Sequence, residues 1–389
     1  MATTINVSGS TYAGKYRMQD LQAAALLSPR FVETGLITPV QNIKKSLTWQ
    51  NVDDTVNFID PACDFSPQTN TVTPTEGTLN PKPYEVHKEY CLKDLETDWR
   101  AEGLAPGSFS DYNDPEFQDF LLNRALEKIA LANEEMYILG KGGVTSADVS
   151  GFSAAFTGFL PAIKADANTA KADLSEWEVA ITDITAAAQA VVTTTTTDIM
   201  VGDKISFVDV VGMTEINGLS GTVLNKTATT TTVDIDSSAF TPYVSGGNCQ
   251  FINRSNVLEV LARIVRVNIQ PALRRDPSLK VVVPEYVASV YREAQATNAT
   301  GSGSFWVGDK DLDFLGRAIA PMDVWQDNTI AVYRTKHLYL GVDLLGDDST
   351  ARIVDMRQTT NEDKTRVKLR MKADVNYRFP SEVFVMRAN

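Results

Sequence analysis

Residues 114–139 read DPEFQDFLLNRALEKIALANEEMYIL, and this stretch decides the architecture. Asp114 can cap the free N–H groups of a first helical turn. Pro115 sits where its missing N–H costs nothing, and Glu116 complements the positive end of the helix dipole. Phe117, Leu121, Ala125, Ile129, Ala132 and Met136 recur at three- and four-residue steps and predict one apolar face, widened by Phe120, Leu122 and Leu126. Gly140, Gly142 and Gly143 then end the helix. At 1.5 Å per residue it spans roughly 39 Å, longer than most helices of globular proteins. Alone it would be a core helix of a mixed domain; its flanks give it meaning.

Upstream, residues 47–100 turn to β patterning. SLTWQNVDDTVNFID (46–60) places Trp49, Val52, Val56 and Phe58 at its apolar positions, and YEVHKEYCL (84–92) alternates like a long strand. Pro67, Pro74, Pro81 and Pro83 confine the stretch between to a tip or an edge. The expectation is a long two-stranded hairpin. Such a hairpin is marginally stable alone and needs a surface to lie on, either its own domain or another copy of the chain. Residues 1–46 read as an arm: small and polar residues, a possible short helix over MQDLQAAALL (18–27), then Ser28-Pro29 and an extended run past Pro39. An arm of this kind cannot bury enough surface to hold itself in place.

Downstream, KGGVTSADVSGFSAAFTGFL (141–160) is loop-like, and LSEWEVAITDITAAAQAVV (174–192) looks helical. At Thr193 the chain becomes almost all β: KISFVDV, GTVLNKT, TTVDID and CQFI are separated by turns at Val201-Gly202-Asp203, Asn217-Gly218 and Ser245-Gly246-Gly247. This unit of 193–252 carries two Lys against six Asp/Glu and reads as an insertion, because a helical pattern resumes after it. Asn256 and Glu259 have capping-box spacing, Val257, Val260, Leu261, Ile264 and Val267 form a stripe, and Pro271 marks its end. LKVVVP (279–284) suits a strand buried on both faces, EYVASVYREAQA a helix, and LDFLGRAIAPM, NTIAVYRT and HLYLGVDLL strands of a mixed sheet. In TRVKLRMKADV (365–375) Val367, Leu369, Met371 and Ala373 alternate with Arg and Lys, so one face should pack and the other stay basic and wet.

The 389 residues carry a net charge of −13, unevenly. Residues 1–50 hold five Lys/Arg against two Asp/Glu, and residues 351–389 hold nine against five. An acidic body with basic ends lacks the concentrated basic face of a sequence-specific nucleic-acid reader. Its ends could still touch a polyanion weakly, or be a solvated tail. No apolar run reaches membrane-spanning length and no signal-peptide core opens the chain, which points to a cytosolic product. Cys63, Cys91 and Cys249 form neither zinc spacing nor a disulfide framework and read as reduced, buried thiols. His87 and His337 lack Cys or His partners and read as strand residues rather than ligands; Asp234 and Asp236 lack the calcium-loop spacing and read as a solvated acidic strand. Asp173, Glu176 and Glu178 read as solubility charges on a surface helix. No nucleophile motif, phosphate loop, dinucleotide fingerprint or metal helix occurs, so neither an enzyme nor a cofactor is expected.

The ordered set of parts resembles the major capsid protein of tailed double-stranded-DNA bacteriophages, a fold shared with encapsulins and the herpesvirus capsid floor. The residues that carry the resemblance are YEVHKEYCLKDLETDW (84–99), the 114–139 helix, SNVLEVL (255–261) with LRRDPSLKVVVPEYVASVYREAQ (273–295), DLDFLGRAIAPMD (311–323) with DNTIAVYRTKHLYLGVDLL (327–345), and 351–385. Together they cover nearly the whole chain outside 193–252. The resemblance implies an α+β fold with an N-terminal arm (1–46), an extended β-hairpin loop (47–100) lying across a neighbouring subunit, and a peripheral domain (101–192) with the 114–139 spine helix. It further implies an inserted β-barrel-like domain (193–252), an axial domain (253–345) and closing strands of the peripheral domain (346–389). The implied role is a self-assembling icosahedral shell of hexamers and pentamers around packaged DNA in the virion, assembled in the host cytoplasm. The alternative is an encapsulin-like compartment. Other copies, portal, scaffold or decoration proteins, and DNA by non-specific contact are the implied partners, with no membrane. Lys15, Arg17, Arg30, Lys44 and Lys45 are the candidate DNA-facing arm, and Trp49, Phe58, Glu76 and Tyr84 the candidate inter-subunit hairpin contacts. The resemblance would also imply a long, charged, helical N-terminal scaffolding segment, which this sequence does not show; the expectation is either that it has been cleaved away or that a separate scaffold protein serves, and Met1 favours the second.

Overall fold

In the computed structural model the described residues are 29–53, 73–91, 115–140, 142, 156–172, 177–194, 198–269, 273–298, 312–343, 351–356, 362 and 364–386. They divide between two compact units, one from 1–135 and 339–376, the other from 136–338 and 377–389.

Period-two alternation builds the first unit. The strand Lys364–Tyr377 buries Leu369, Met371, Ala373 and Val375 on one face and turns its Lys and Arg the other way. It is the axis of a five-stranded sheet. Ala351–Asp355 and Lys82–Cys91 pair with it antiparallel, the latter in register from Lys364↔Cys91 to Ala373↔Lys82. Leu338–Val342 lies beside it and takes Thr38–Val40 as a parallel edge strand, where Pro39 is tolerated. Phe31, Leu36, Ile37 and Ile43 are all buried, so the second half of the expected arm is anchored in its own chain. Residues 1–28, with the short helix expected over 18–27, lie outside the described residues.

The expected hairpin is corrected. Leu47–Asp53 does not pair with 84–92; it pairs with Thr73–Leu79 as a separate two-stranded ribbon, and Lys82–Cys91 leaves to join Lys364–Tyr377. Its partner strand comes from far along the chain, with Glu85 meeting Arg370, 285 residues later.

The long helix forms over Pro115–Leu139 and ends at Gly140, whose N–H reaches the Met136 carbonyl at 3.1 Å. Asp114 lies outside the described residues. Its buried stripe runs through Ile129, Asn133, Met136 and Tyr137, while Ala132 is exposed. Ile129 and Met136 thus keep their expected places, and Asn133 takes the place expected of Ala132; the side chains of the helix before Glu127 lie outside the described residues. The Tyr84 hydroxyl donates to Asn133 Oδ1 at 3.0 Å, and the Asn133 amide donates to the Met371 sulfur at 3.8 Å.

The second unit contains two sheets. One is a mixed six-stranded sheet in the order Asp313–Phe314, Arg317–Met322, Leu279–Pro284, Ala331–Arg334, Phe384–Met386, Ala170–Ala172. Val281, Val282 and Val283 are at most 1 % exposed, as the unbroken apolar run of that strand requires. The helices Val257–Arg263 and Glu285–Asn298 pack on it through Val260, Leu261, Val287 and Tyr291. Two expectations for 256–267 fail here. Asn256 does not cap the helix with its side chain; its amide donates to the Phe251 carbonyl and its Oδ1 accepts the Asn253 N–H. Val267 is 70 % exposed, because the last turn, Ile264–Asn268, is a π-turn whose extra residue rotates it out of the stripe.

The other sheet is a closed six-stranded barrel, in ring order Thr230–Val233, Val191–Thr194, Glu178–Ile184, Asn248–Phe251, Lys204–Val208 and Ser220–Lys226. The helix-like reading of 174–192 is thus corrected: from Glu178 this segment is two strands of the barrel. Its interior is filled by Val179, Ile181, Val192, Ile205, Phe207, Val223, Val233 and Cys249.

Candidate assembly surfaces

The two-stranded ribbon sets Trp49 opposite Gly77 and Gln50 opposite Glu76. The indole lies so close to the Gly77 backbone that a Cβ there would stand 2.5 Å from the ring. The same indole meets the Tyr339 ring at 5.5 Å between centroids, and its buried N–H has no acceptor among the described residues. Gln50 donates to Glu76 at 2.9 Å on the exposed face. Of the candidate inter-subunit contacts, then, Trp49 and Tyr84 meet their own chain, Glu76 faces solvent and Phe58 lies outside the described residues. Of the candidate basic arm, Arg30, Lys44 and Lys45 are exposed, while Lys15 and Arg17 lie outside the described residues.

The pairing of Lys82–Cys91 with Lys364–Tyr377 creates a charge ladder that sequence reasoning missed. Glu85 accepts from Lys368 at 3.0 Å and from Arg370, with His87 also 3.0 Å away. Glu89 accepts from Lys364 and from Arg366, both at 2.7 Å. Lys368, Arg370 and His87 together hold the Glu85 carboxyl down at about 2, and Lys364 and Arg366 lower that of Glu89. The signal was present as two alternations, Glu-x-x-x-Glu at 85–89 and a basic residue at every even position from 364 to 372. Neither shows its partner until the strands are known to pair. Lys372 ends the row on the buried carboxylate of Asp343 at 3.2 Å.

Elsewhere the charged groups bind one another. In the second unit Arg334 joins Asp276 to Glu382, and Glu382 also holds His337 Nδ1 at 2.5 Å. The Ser278 hydroxyl and N–H, with Arg334, keep the Asp276 carboxyl well below the usual range. His337 sits in a 3₁₀ turn rather than a strand. In the barrel, Asp234 accepts the Thr222 N–H, Asp236 accepts from Ser238, and Glu178 accepts from the Asn248 and Gln250 amides, so the acidic residues there are structural acceptors. Cys249 is fully buried and its thiol is pushed up to about 12 by that burial; Cys91 is half-buried, and neither is disulfide-bonded. Among the described residues, no three metal-ligating side chains gather at one point and no helix is long and apolar enough to cross a membrane.

No family model matches the sequence, and neither does any curated protein. Solved structures do resemble the chain over nearly its full length. A chain of the satellite phage P4 procapsid that includes the size-determination (Sid) protein is 12 % identical, with 95 % of this chain and 98 % of that one covered and a TM-score of 0.46. The cyanophage A-1(L) capsid asymmetric unit gives 11 % identity, 98 % and 96 % coverage and a TM-score of 0.44. A virus-like particle from Pyrococcus furiosus gives 9 % identity, 96 % and 100 % coverage and a TM-score of 0.43. These three similar structures come from two phage capsids and a virus-like particle.

Proposed function

We propose that this protein is a structural shell protein, the major capsid protein of a tailed phage, whose copies close into hexamers and pentamers around packaged double-stranded DNA. One observation carries the reading: the ribbon of Leu47–Asp53 and Thr73–Leu79 belongs to no larger sheet among the described residues. Two strands alone are marginally stable, and each outer edge offers a row of backbone donors and acceptors that a further chain can cover. Heterologous contacts of that kind, repeated around symmetry axes, generate closed rings and shells. In this reading the ribbon of Leu47–Asp53 and Thr73–Leu79 lies across a neighbouring copy, the Pro115–Leu139 helix is the spine of a peripheral domain, and the six-stranded sheet belongs to an axial domain. The barrel is an insertion displayed on the outer face. Lys15, Arg17, Arg30, Lys44 and Lys45 face the DNA without reading its sequence. Portal and scaffold proteins complete the particle, and the chain carries out no catalysis.

Analytical sedimentation and negative-stain microscopy of the expressed chain test this. Closed particles or rings of five and six subunits are the expected result, and a chain that stays monomeric under every salt and concentration condition overturns it. Nucleic acid inside particles recovered from the native source supports a virion; an enclosed enzyme in its place reassigns the shell to a protein compartment.

A further inference from the structure

The six-stranded sheet carries an irregular backbone at each of its two edges. At one edge Asp313–Phe314 turns back into Arg317–Met322 through Leu315-Gly316, with Phe314 opposite Arg317. Both turn residues have positive φ, +50° and +74°. A two-residue turn of this type I′ kind favours Asn-Gly, because Asn tolerates the left-handed backbone and a leucine is strained in it. Leu315 nevertheless holds the first place, and 54 % of it lies in solvent. At the opposite edge is Ala170–Ala172, and the π-turn Ile264–Asn268 packs beside it. That turn puts out Val267, which is 70 % exposed. Among the described residues of this sheet and its helices, Leu315 and Val267 are the two exposed large apolar side chains. A lone exposed apolar residue is ordinary. Two that each depend on a costly backbone irregularity are not, since such irregularities gather at functional surfaces.

We propose that Leu315 of one copy is seated against Val267 of the next, with Asp313 facing Arg266, in a head-to-tail contact that repeats from copy to copy. The positions in the sheet favour this occupant. Five strand spacings of about 4.8 Å set the two edges roughly 24 Å apart, so the two side chains of one copy cannot cover each other. Two different patches on opposite edges make a heterologous contact, and contacts of that kind close into rings. Exposed charge agrees: Asp313 stands two places before Leu315 and Arg266 adjoins Val267, so the two patches attract across the join. Arg317, in the same hairpin as Leu315, is already turned to the Asp276 carbonyl. The inference rests on the shell reading and names the contact between neighbours within its rings.

Leu315→Asn gives the turn its preferred residue and removes the anchor, so stability and assembly should move in opposite directions. Below the assembling concentration its thermal melt should lie at or above that of the wild type. The concentration needed for half-assembly, followed by sedimentation, should rise about tenfold or more. Asp313→Arg and Arg266→Asp should each weaken assembly, and the two together should restore much of it. In a Cys63→Ser/Cys91→Ser background, Leu315→Cys with Val267→Cys in one chain should give a ladder of linked copies with a short bis-maleimide. Either change alone should give none. If the wild type forms rings or particles and no ladder appears, the contact is overturned and the shell reading stands. The same holds if Leu315→Asn weakens assembly without a ladder, for then another surface or another protein receives the leucine. Linked dimers from one cysteine change alone also overturn it, because they show a self-complementary face. A wild type that stays monomeric under every condition overturns the shell reading, and this contact with it.

Discussion

Asn328 places its side-chain amide 3.0 Å from the hydroxyl of Ser206, joining the turn before the Ala331–Arg334 strand of the six-stranded sheet to a strand of the barrel. The same amide reaches the carbonyls of Lys204 and Gln250, and Asn328 Oδ1 accepts the N–H of Ile252. Lys204 repeats the link, with its N–H on the Tyr286 hydroxyl and its ammonium on Asp327. The barrel is therefore fastened to the layer beneath it rather than hung on a flexible tether. Asn328 is 2 % exposed and sits at φ +56°, a left-handed conformation that Asn tolerates better than most residues. Asn328→Ala should destabilise the chain by about 2–4 kcal/mol, since it leaves several buried backbone groups unpaired as well as straining the turn. Ser206→Ala should cost about 1 kcal/mol. Denaturant unfolding of the two variants checks the order, and equal costs would contradict the assignment of Asn328 as the hub.

Gly77 is fixed by Trp49. Gly77→Ala forces its methyl against the indole, and overpacking of this kind costs roughly 1–3 kcal/mol. Thermal melts should show the loss, and Trp49→Leu in the same chain should recover a large part of it. No recovery would mean that something other than the ring limits the position.

Asp374 supplies a pH dependence of defined sign. It is half-buried, its Oδ2 accepts the Asn80 N–H at 2.7 Å, and burial raises its carboxyl above the usual value despite that bond and the nearby Lys82. A carboxyl raised in the folded state holds its proton longer than the unfolded chain does. The group therefore subtracts stability as pH rises from about 4 through the raised native value, and the penalty is constant above it. Asp374→Asn keeps an acceptor for Asn80 and removes the buried charge. Its stability relative to wild type should grow over that window, as read by melts at successive pH values; a difference that shrinks as pH rises would reverse the sign.

Cys249 should be inert in the folded protein. Its thiol is buried, donates to the Val179 carbonyl at 3.5 Å and is pushed up to about 12, so almost none is thiolate at pH 8. In a Cys63→Ser/Cys91→Ser background a disulfide-exchange reagent should react only as denaturant opens the barrel. Rapid reaction without denaturant would show that the barrel breathes.

Much of this fold is legible because its periodicities are clean. The alternation through Leu369, Met371 and Ala373, the unbroken LKVVVP run and the stepped apolar residues before Gly140 each name their element and their buried side. At two of the places where reading failed, a single extra residue had broken the period. A β-bulge between Ile181 and Asp183 shifts the strand by one, so Trp177, Ile181 and Ile184 fall at helical spacing although they belong to a barrel wall and its flank. The Ala-rich 186–188 turn that follows strengthens the false impression. The π-turn at Ile264–Asn268 does the converse and expels Val267. The charge ladder stayed hidden for another reason: it exists only in the register of two distant strands, and one strand cannot announce its partner.

The marriage of Glu85 to Arg370, 285 positions later, also sets a timetable. During translation the Lys82–Cys91 segment leaves the ribosome long before Lys364–Tyr377 has been made, and its place in the sheet waits while the barrel, complete by Phe251, can already condense from nearer contacts. A nascent chain therefore lacks the completed first sheet until elongation has passed Ala373.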